Sequence, residues 1–391
     1  MNSLQLVTWI ARGVFAVAAI GVSAASFVLS LSVFEMRRGD LRKCEVDLEG
    51  LSAPVYPRPF GKESLGTLGV RSIVNARAII AAAVSIFVGK PVPGLPATLA
   101  TTTYHKVDVA NVGIFYREAG PKEAPTIVLL HGFPSSSRMF DTLIPLLATR
   151  YHLIAPDYPG FGQSDAPPPS QYAYTFDHLA ETMNALLEQL HIHRYTLYLQ
   201  DYGGPVGFRI MLAHPERVQA LVIQNANAYE EGLGAKWTGI KAYWADPKAH
   251  PEVPRAFTSL EGAKFRHDGN SPHPERYNPE IWAEEYAMLS RPGEQAIQES
   301  LLYDYRTNVA SYSDWQAWLR QHQPATLVVW GRYDASFITP GGEAFRRDLP
   351  DAEIHSLDAG HFALDEKVDE IAALMLAFLD KSKLGISSTG P

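Results

Sequence analysis

The chain has 391 residues, of which 46% are hydrophobic and 19% charged, a composition typical of globular proteins rather than of disordered or fibrous ones. The formal net charge of -8 and the sequence pI near 5.9 disfavour a nucleic-acid partner, because they provide no broad positive field for phosphates. They favour an uncharged or weakly polar small molecule instead. The single cysteine, Cys44, excludes an intrachain disulfide.

Two apolar segments lie in the first hundred residues. Residues 13–34 carry no charged side chain and are long enough to cross a bilayer as a helix. The basic residues that follow them would place the C-terminal flank of that helix in the cytoplasm. The second apolar run, residues 78–89, follows Arg71 and Arg77 and precedes small residues, which is the pattern of a secretory signal peptide. An interfacial or packed helix is the alternative for this second run.

We therefore expect residues 1–103 to form an N-terminal extension with a transmembrane or signal-like segment. The expected location is membrane-associated or exported, and both the cytoplasmic face and the periplasm stay open. A signal peptide inside a chain is unusual, so a native start near Val70 is an alternative. Pro91, Pro93 and Pro96 indicate a linker into the folded domain.

A regular series of short apolar runs follows the linker. Residues 105–120 alternate around Asn111 and Gly113 as a hairpin does. The later runs are uniformly apolar, which favours strands covered on both faces, and helical patterns such as the one after Thr175 separate them. This alternation predicts an α/β fold with a mostly parallel sheet covered by helices. The runs are residues 126–130, 152–157, 195–200, 220–226, 326–331 and 353–358.

One long interval, residues 228–323, interrupts the series and is too long for a loop. It is rich in Trp and Tyr and contains helical patterns, so it predicts a helical cap inserted over the carboxyl ends of the strands, where open α/β sheets bind ligands. The core is then predicted to comprise residues 104–227 and 324–381. A short tail, residues 382–391, follows.

Asp201 directly follows the apolar run that ends at Gln200, Gly203 and Gly204 complete the turn, and a helical pattern begins at Pro205. A strand, a sharp turn with small residues and a helix are typical of a nucleophile elbow, which projects one reactive side chain. A carboxylate at this position attacks carbon directly and forms an ester, so it needs no base to deprotonate it. The alternative is that Asp201 caps the following helix.

Two later residues supply the acid and the base of a catalytic triad. Asp334 follows one apolar run and His361 the next, which gives the chain order nucleophile, acid, base that an elbow of this kind requires. Asp358, which is close to His361 in sequence, is an alternative acid. A position in a surface loop is the alternative for His361.

An oxyanion hole is predicted from two backbone N–H groups. Phe133 follows His131-Gly132 at the end of an apolar run, and Tyr202 follows Asp201. Both N–H groups are expected to face the elbow, where they would stabilise negative charge that develops during acyl transfer.

With these residues placed, the segment from Tyr104 to Leu379 resembles the α/β-hydrolase superfamily, and within it the aspartate-nucleophile branch of epoxide hydrolases and haloalkane dehalogenases. The resemblance implies an α/β-hydrolase fold with a cap. Five motifs carry it: HGFP at 131–134, DYPGFGQSD at 157–165, QDYGG at 200–204, GRYD at 331–334 and GHF at 360–362.

The same resemblance implies how the two activities differ. Dehalogenases hold the halide with an indole N–H just after the nucleophile, where this chain has Tyr202, and tryptophan is also usual there in epoxide hydrolases. Epoxide hydrolases use two cap tyrosines that donate to the epoxide oxygen. KAYWADP resembles the first of these sites and makes Tyr243 a candidate, and YDYRTN resembles the second and makes Tyr305 a candidate.

The favoured prediction is an epoxide hydrolase that acts on a small apolar substrate. Asp201 would form the ester, and a water activated by His361 and Asp334 would hydrolyse it. No metal or organic cofactor is expected, because the histidines share no ligand spacing. Hydrolytic dehalogenation with the same triad is the alternative, followed by a non-catalytic ligand-binding protein. A serine esterase is disfavoured because no serine occupies the elbow. The sequence gives no signal of an oligomeric state.

Overall fold

The computed structural model describes residues 101–382 of the chain. The apolar runs predicted at 13–34 and 78–89 and the tail after residue 382 lie outside the described residues. Within residues 101–382, none of the helices combines the length and the apolar composition needed to span a bilayer. A membrane-associated or exported location therefore stays a prediction.

Eight strands form one sheet in the order β1-β2-β4-β3-β5-β6-β7-β8. The β1–β2 hairpin and the β2–β4 pair are antiparallel, and every other neighbouring pair is parallel. This confirms the predicted α/β fold and its mostly parallel sheet. The strands are β1 (Thr103–Val109), β2 (Val112–Ala119), β3 (Thr126–Leu130), β4 (His152–Pro156), β5 (Tyr195–Gln200), β6 (Val218–Gln224), β7 (Ala325–Gly331) and β8 (Glu353–Leu357).

The helices alternate with the central strands and also fill the interval between β6 and β7. They are α1 (Ile144–Leu147), α2 (Phe176–Gln189), α3 (Gly203–Ala213), α4 (Trp237–Ala245), α5 (Glu252–Phe257), α6 (Leu260–Asp268), α7 (Pro279–Leu289), α8 (Glu294–Ala310), α9 (Tyr312–His322), α10 (Thr339–Asp348) and α11 (Ala363–Lys381). Thr175 caps α2 as predicted, since its side chain accepts from the N–H of His178 at 3.2 Å.

The central strands are uniformly apolar because both of their faces are covered. In β3, Ile127 and Leu129 belong to one buried apolar cluster, whereas Val128 and Leu130 belong to the other. Successive strand residues point to opposite faces, so a strand between two helix layers needs apolar side chains at every position. The cluster around Ile127 contains residues of α1 and α11, and the other contains residues of α2, α3 and α10.

Helices α5 and α8 contact residues that directly follow the carboxyl ends of two parallel strands. The Phe133 ring, just after β3, stacks on Phe257 of α5 with ring centroids 4.2 Å apart. Tyr202, just after β5, lies 5.8 Å from Tyr305 of α8, again between ring centroids. These aromatic contacts join the segment between β6 and β7 to the strand ends, where the predicted site residues lie.

Candidate active site

Asp201 occupies a sharp turn between β5 and α3. Its φ of 48° lies in the left-handed region, which non-glycine residues seldom adopt and which is often found at functional sites. The turn fits closely against β3, because a Cβ on Gly203 would lie 2.1 Å from the carbonyl oxygen of Leu130. The alternative role as a helix cap is not observed, since α3 begins without a side-chain cap.

The two carboxylate oxygens of Asp201 have different surroundings. Oδ1 accepts a hydrogen bond of 2.8 Å from the backbone N–H of Phe133. Oδ2 faces the imidazole of His361, with 3.6 Å between Oδ2 and Nε2. Asp201 can lie this close to the residues after β3 because Gly132 has no side chain. A Cβ on Gly132 would lie 2.4 Å from the Cβ of Asp201. One oxygen is thus fixed by the backbone while the other is directed toward the histidine.

Asp334 orients His361 from the opposite side of the ring. Its Oδ2 lies 2.7 Å from Nδ1 of His361 and also accepts from the side-chain amide of Asn225 at 2.9 Å. Its Oδ1 accepts from the N–H groups of Ser336 and Phe337, at 2.6 and 3.1 Å. These four contacts fix both oxygens of the carboxylate.

Asp358, the alternative acid, lies elsewhere. Its side chain accepts from the hydroxyl of Tyr333 at 2.7 Å and is 38% exposed. The structure brings Asp334, and not Asp358, into contact with His361.

The pKa values of the two carboxyl groups next to His361 shift in opposite directions. Burial raises the pKa of Asp201, although His361 and the amides of Phe133 and Tyr202 oppose the rise. Burial would also raise the pKa of Asp334, but His361 outweighs it, so the pKa of Asp334 is lowered. Asp334 therefore favours its ionised form beside the imidazole, whereas the Asp201 carboxylate is poorly solvated.

A narrow cavity lies above Asp201 and His361. Leu302 and Ile240 contribute aliphatic surface to it. Aromatic residues are the largest group in its lining, which suits a small organic molecule. The aromatic residues are Phe133, Tyr202, Trp237, Phe257, Tyr305 and Phe337.

The two candidate cap tyrosines lie in different places. Tyr305 lines the cavity, and its buried hydroxyl lies near that of Tyr312 without a hydrogen bond of normal geometry among residues 101–382. The structure does not bring Tyr243 into the cavity. On α4 it is Ile240, one turn earlier, that faces the cavity. The hydroxyl of Tyr243 donates instead to Glu299 at 3.4 Å.

Three polar residues of the site were not found from the sequence. The Gln200 side-chain amide lies 3.2 Å from Nε2 of His361, and its position beside Asp201 was the signal that could have indicated it. Lys236, at the start of α4, and Arg266, on α6, both line the cavity. No local pattern marks either cation as a site residue.

Comparison with known proteins shows the family. The family model for the alpha/beta hydrolase fold matches residues 125–368, so the chain belongs to this family and is a hydrolase. A protein of Saccharomyces cerevisiae named uncharacterized hydrolase YNR064C is 41% identical over 276 residues, which cover 69% of this chain and 94% of the yeast protein.

More distant relatives carry two different names. A cis-3-alkyl-4-alkyloxetan-2-one decarboxylase of Xanthomonas campestris is 28% identical, in an alignment that covers 72% of this chain and 97% of the relative. A haloalkane dehalogenase of Psychrobacter cryohalolentis is 27% identical, with coverages of 69% and 88%. The crystal structure of Cfl2 from Burkholderia cenocepacia superposes with a TM-score of 0.61 at 24% identity, covering 74% of this chain and 99% of that one, which shows the shared fold.

Proposed function

We propose that this hydrolase uses Asp201 as a nucleophile on a carbon atom of its substrate, and that the substrate is an epoxide. The proposal depends on the different surroundings of the two oxygens of the Asp201 carboxylate. Oδ1 is held by the Phe133 N–H, whereas Oδ2 has no hydrogen bond among the described residues and faces His361 at the floor of the cavity. An oxygen in that position is available to attack a bound carbon.

In the first step, Oδ2 of Asp201 bonds to one epoxide carbon while the bond from that carbon to the ring oxygen breaks. The ring oxygen takes up a proton, and Tyr305 is the phenol of the cavity proposed to donate to it. Burial keeps this phenol neutral, because it raises the pKa of Tyr305 well above the usual value. The product of the step is an alkyl ester on the enzyme.

In the second step, His361 removes a proton from water, and the resulting hydroxide attacks the carbonyl carbon of the ester. Asp334 stabilises the imidazolium through the 2.7 Å contact at Nδ1. The N–H groups of Phe133 and Tyr202 stabilise the oxyanion, and loss of one such donor typically costs about 3 to 4 kcal/mol of barrier. Cleavage of the ester releases the diol and restores the Asp201 carboxylate, and the proton held by His361 returns to Tyr305, which regenerates both side chains.

Hydrolytic dehalogenation is the second candidate, because relatives named haloalkane dehalogenases match most of this chain. The indole groups near the cavity argue against it. Trp237 donates its ring N–H to the carbonyl of Ser336 at 2.7 Å, and Trp244 donates to that of Leu302 at 2.8 Å, so neither indole is free to hold a halide.

A product assay tests the proposal. The purified protein is incubated with matched epoxides and chloroalkanes of equal chain length, and diol and halide are measured. Diol from the epoxides, absent in Asp201→Ala, supports the proposal. Halide without diol assigns the second candidate, and neither product from any substrate contradicts both.

A further inference from the structure

The cavity contains two cations that the proposed mechanism does not use. Lys236 and Arg266 reach it from different helices of the segment between β6 and β7 and line it together with Asp201 and His361. An enzyme for an apolar substrate has no need of them, and burial of charge without a partner is costly.

Arg266 is the more isolated of the two. Its Nη2 donates to the backbone carbonyl of Phe257 at 2.7 Å, and its guanidinium carbon lies 4.6 and 4.5 Å from the ring centroids of Phe133 and Phe257. Its Nη1 is buried and makes no hydrogen bond among residues 101–382. No carboxylate of the described chain forms an ion pair with this guanidinium, so one donor and the positive charge remain available.

Lys236 approaches from the other helix. Although much of the residue faces solvent, its ammonium group turns inward and donates to Oγ of Ser336. Burial, followed by the nearby charge of Arg266, lowers the pKa of Lys236 to about 8, and burial lowers the pKa of Arg266 to about 10. Both groups remain mostly protonated at neutral pH.

Attack on the epoxide moves negative charge without changing the total charge of the cavity. Asp201 provides one negative charge in the free enzyme; once it has attacked carbon it is a neutral ester, and the charge passes to the ring oxygen and then to Tyr305, which protonates that oxygen. Asp334 is in contact with His361 and does not line this cavity. Among the described residues, the two cations therefore share the cavity with no free carboxylate in the intermediate unless the substrate brings one.

We propose that Lys236 and Arg266 form an anion subsite that binds a carboxylate group of the substrate, so that the natural substrate is a short epoxy acid rather than a neutral epoxide. This inference rests on the proposed function for its reacting carbon. The planar fork of a guanidinium matches a carboxylate with two parallel hydrogen bonds, and the ammonium supplies a second point of charge.

Two substrates that differ in the charge of one group test whether the subsite acts during turnover. The value of kcat/KM is determined for oxirane-2-carboxylate and for the neutral oxirane-2-carboxamide, and the two values are compared as a ratio. We expect wild type to prefer the carboxylate, and Arg266→Met and Lys236→Met each to lower the ratio by about 30-fold or more, as loss of a buried charge partner does. Arg266→Lys, which keeps the charge, should restore part of it.

Arg255→Met is the matched control, because Arg255 lies on neighbouring α5, is exposed and has no side-chain hydrogen bond or ion pair within the described part of the chain. Circular dichroism verifies that each variant is folded. A ratio that Arg266→Met leaves unchanged, or that Arg255→Met lowers equally, overturns the subsite.

Calorimetric titration with propionate, propionamide and chloride separates this inference from the proposed reaction. Propionate should bind to wild type and about 30-fold more weakly to Arg266→Met, with propionamide and chloride binding more weakly than propionate to wild type. If propionate binds to wild type and more weakly to Arg266→Met, but neither epoxide is turned over, the result supports the subsite and contradicts the proposed function. Turnover of the carboxamide without propionate binding, or preferential binding of chloride, contradicts the subsite alone.

Discussion

Nε2 of His361 lies 3.6 Å from Oδ2 of Asp201, a distance too long for a good hydrogen bond. Nδ1 of the same ring is 2.7 Å from Asp334, so the hydrogen-bond network assigns the proton to Nδ1 and the lone pair to Nε2. The side chain of Gln200 is consistent with this tautomer, because its amide N–H₂ donates to Nε2 at 3.2 Å. In this tautomer Nε2 carries a lone pair beside the Asp201 carboxylate, as the proposed activation of a water requires.

Replacement of Asp334 by Asn should abolish most of the activity. An asparagine side chain at this position would leave the ring in place without a charge to stabilise the imidazolium, so we expect kcat to fall on the order of 10⁴-fold, as with other triad acids. Asp358→Asn is the matched control, because Asp358 is close to His361 in sequence but contacts Tyr333 instead. Steady-state kinetics of both variants measure the effect. Equal losses in the two variants would contradict the assignment of the acid.

Replacing each of the two candidate tyrosines by phenylalanine should show which hydroxyl serves the reaction. Tyr305→Phe removes the hydroxyl proposed to protonate the epoxide oxygen, so we expect kcat/KM for epoxides to fall by about 10²-fold. Tyr243→Phe removes a hydroxyl that contacts Glu299 outside the cavity and should change kcat/KM less than about 3-fold, because no group that lines the cavity is altered. The reverse order of effects would show that Tyr243, and not Tyr305, serves the reaction.

A buried histidine beside the site should make stability depend on pH. His267 on α6 lies 2.8 Å from both Asp365 of α11 and Glu285 of α7. Burial opposes its charge, but the carboxylates of Glu285 and Asp365 outweigh burial and raise the pKa of His267 from 6.5 to about 9. The folded protein therefore holds this proton more tightly than the unfolded chain does.

The resulting stabilisation is complete below pH 6.5 and is lost as the pH rises through about 9. We expect the difference in unfolding free energy between wild type and His267→Gln to shrink by up to about 3 kcal/mol between about pH 6 and about pH 9.5. Urea titrations measure it. The exposed His193→Gln is the control and should show no such trend. A difference that is constant with pH would contradict a charged His267.

The sequence predicted the central strands closely because their local signal and their environment agree. β3 and β5 are apolar at nearly every position, since both faces are covered, and their bounds equal the predicted runs of 126–130 and 195–200. β6 begins at Val218, before the predicted 220, because its first two residues are only partly buried and the second is Gln219. A run of apolar letters marks burial rather than hydrogen bonding, so it misses such ends.

Site residues could be predicted where the end of a strand positions them. They could not be predicted where a helix of the segment between β6 and β7 positions them. Asp201, Asp334 and His361 each follow a strand, and carboxyl ends of parallel strands converge at one edge. Arg266 reaches the cavity only through the packing of α5 and α6, and the sequence around it does not distinguish it from the exposed Arg255. Tertiary packing of the helices decides which cation faces inward.

The most direct test of the central claim is to trap the covalent ester on Asp201. In His361→Gln the attack can proceed, but the water that would cleave the ester lacks its base. Intact-mass analysis after addition of oxirane-2-carboxylate or oxirane-2-carboxamide should show an increase equal to the mass of the epoxide, and peptide mapping should locate it on Asp201. The increase should be absent in the double variant Asp201→Asn with His361→Gln. An unmodified His361→Gln protein, or an adduct on another residue, would contradict nucleophilic attack by Asp201.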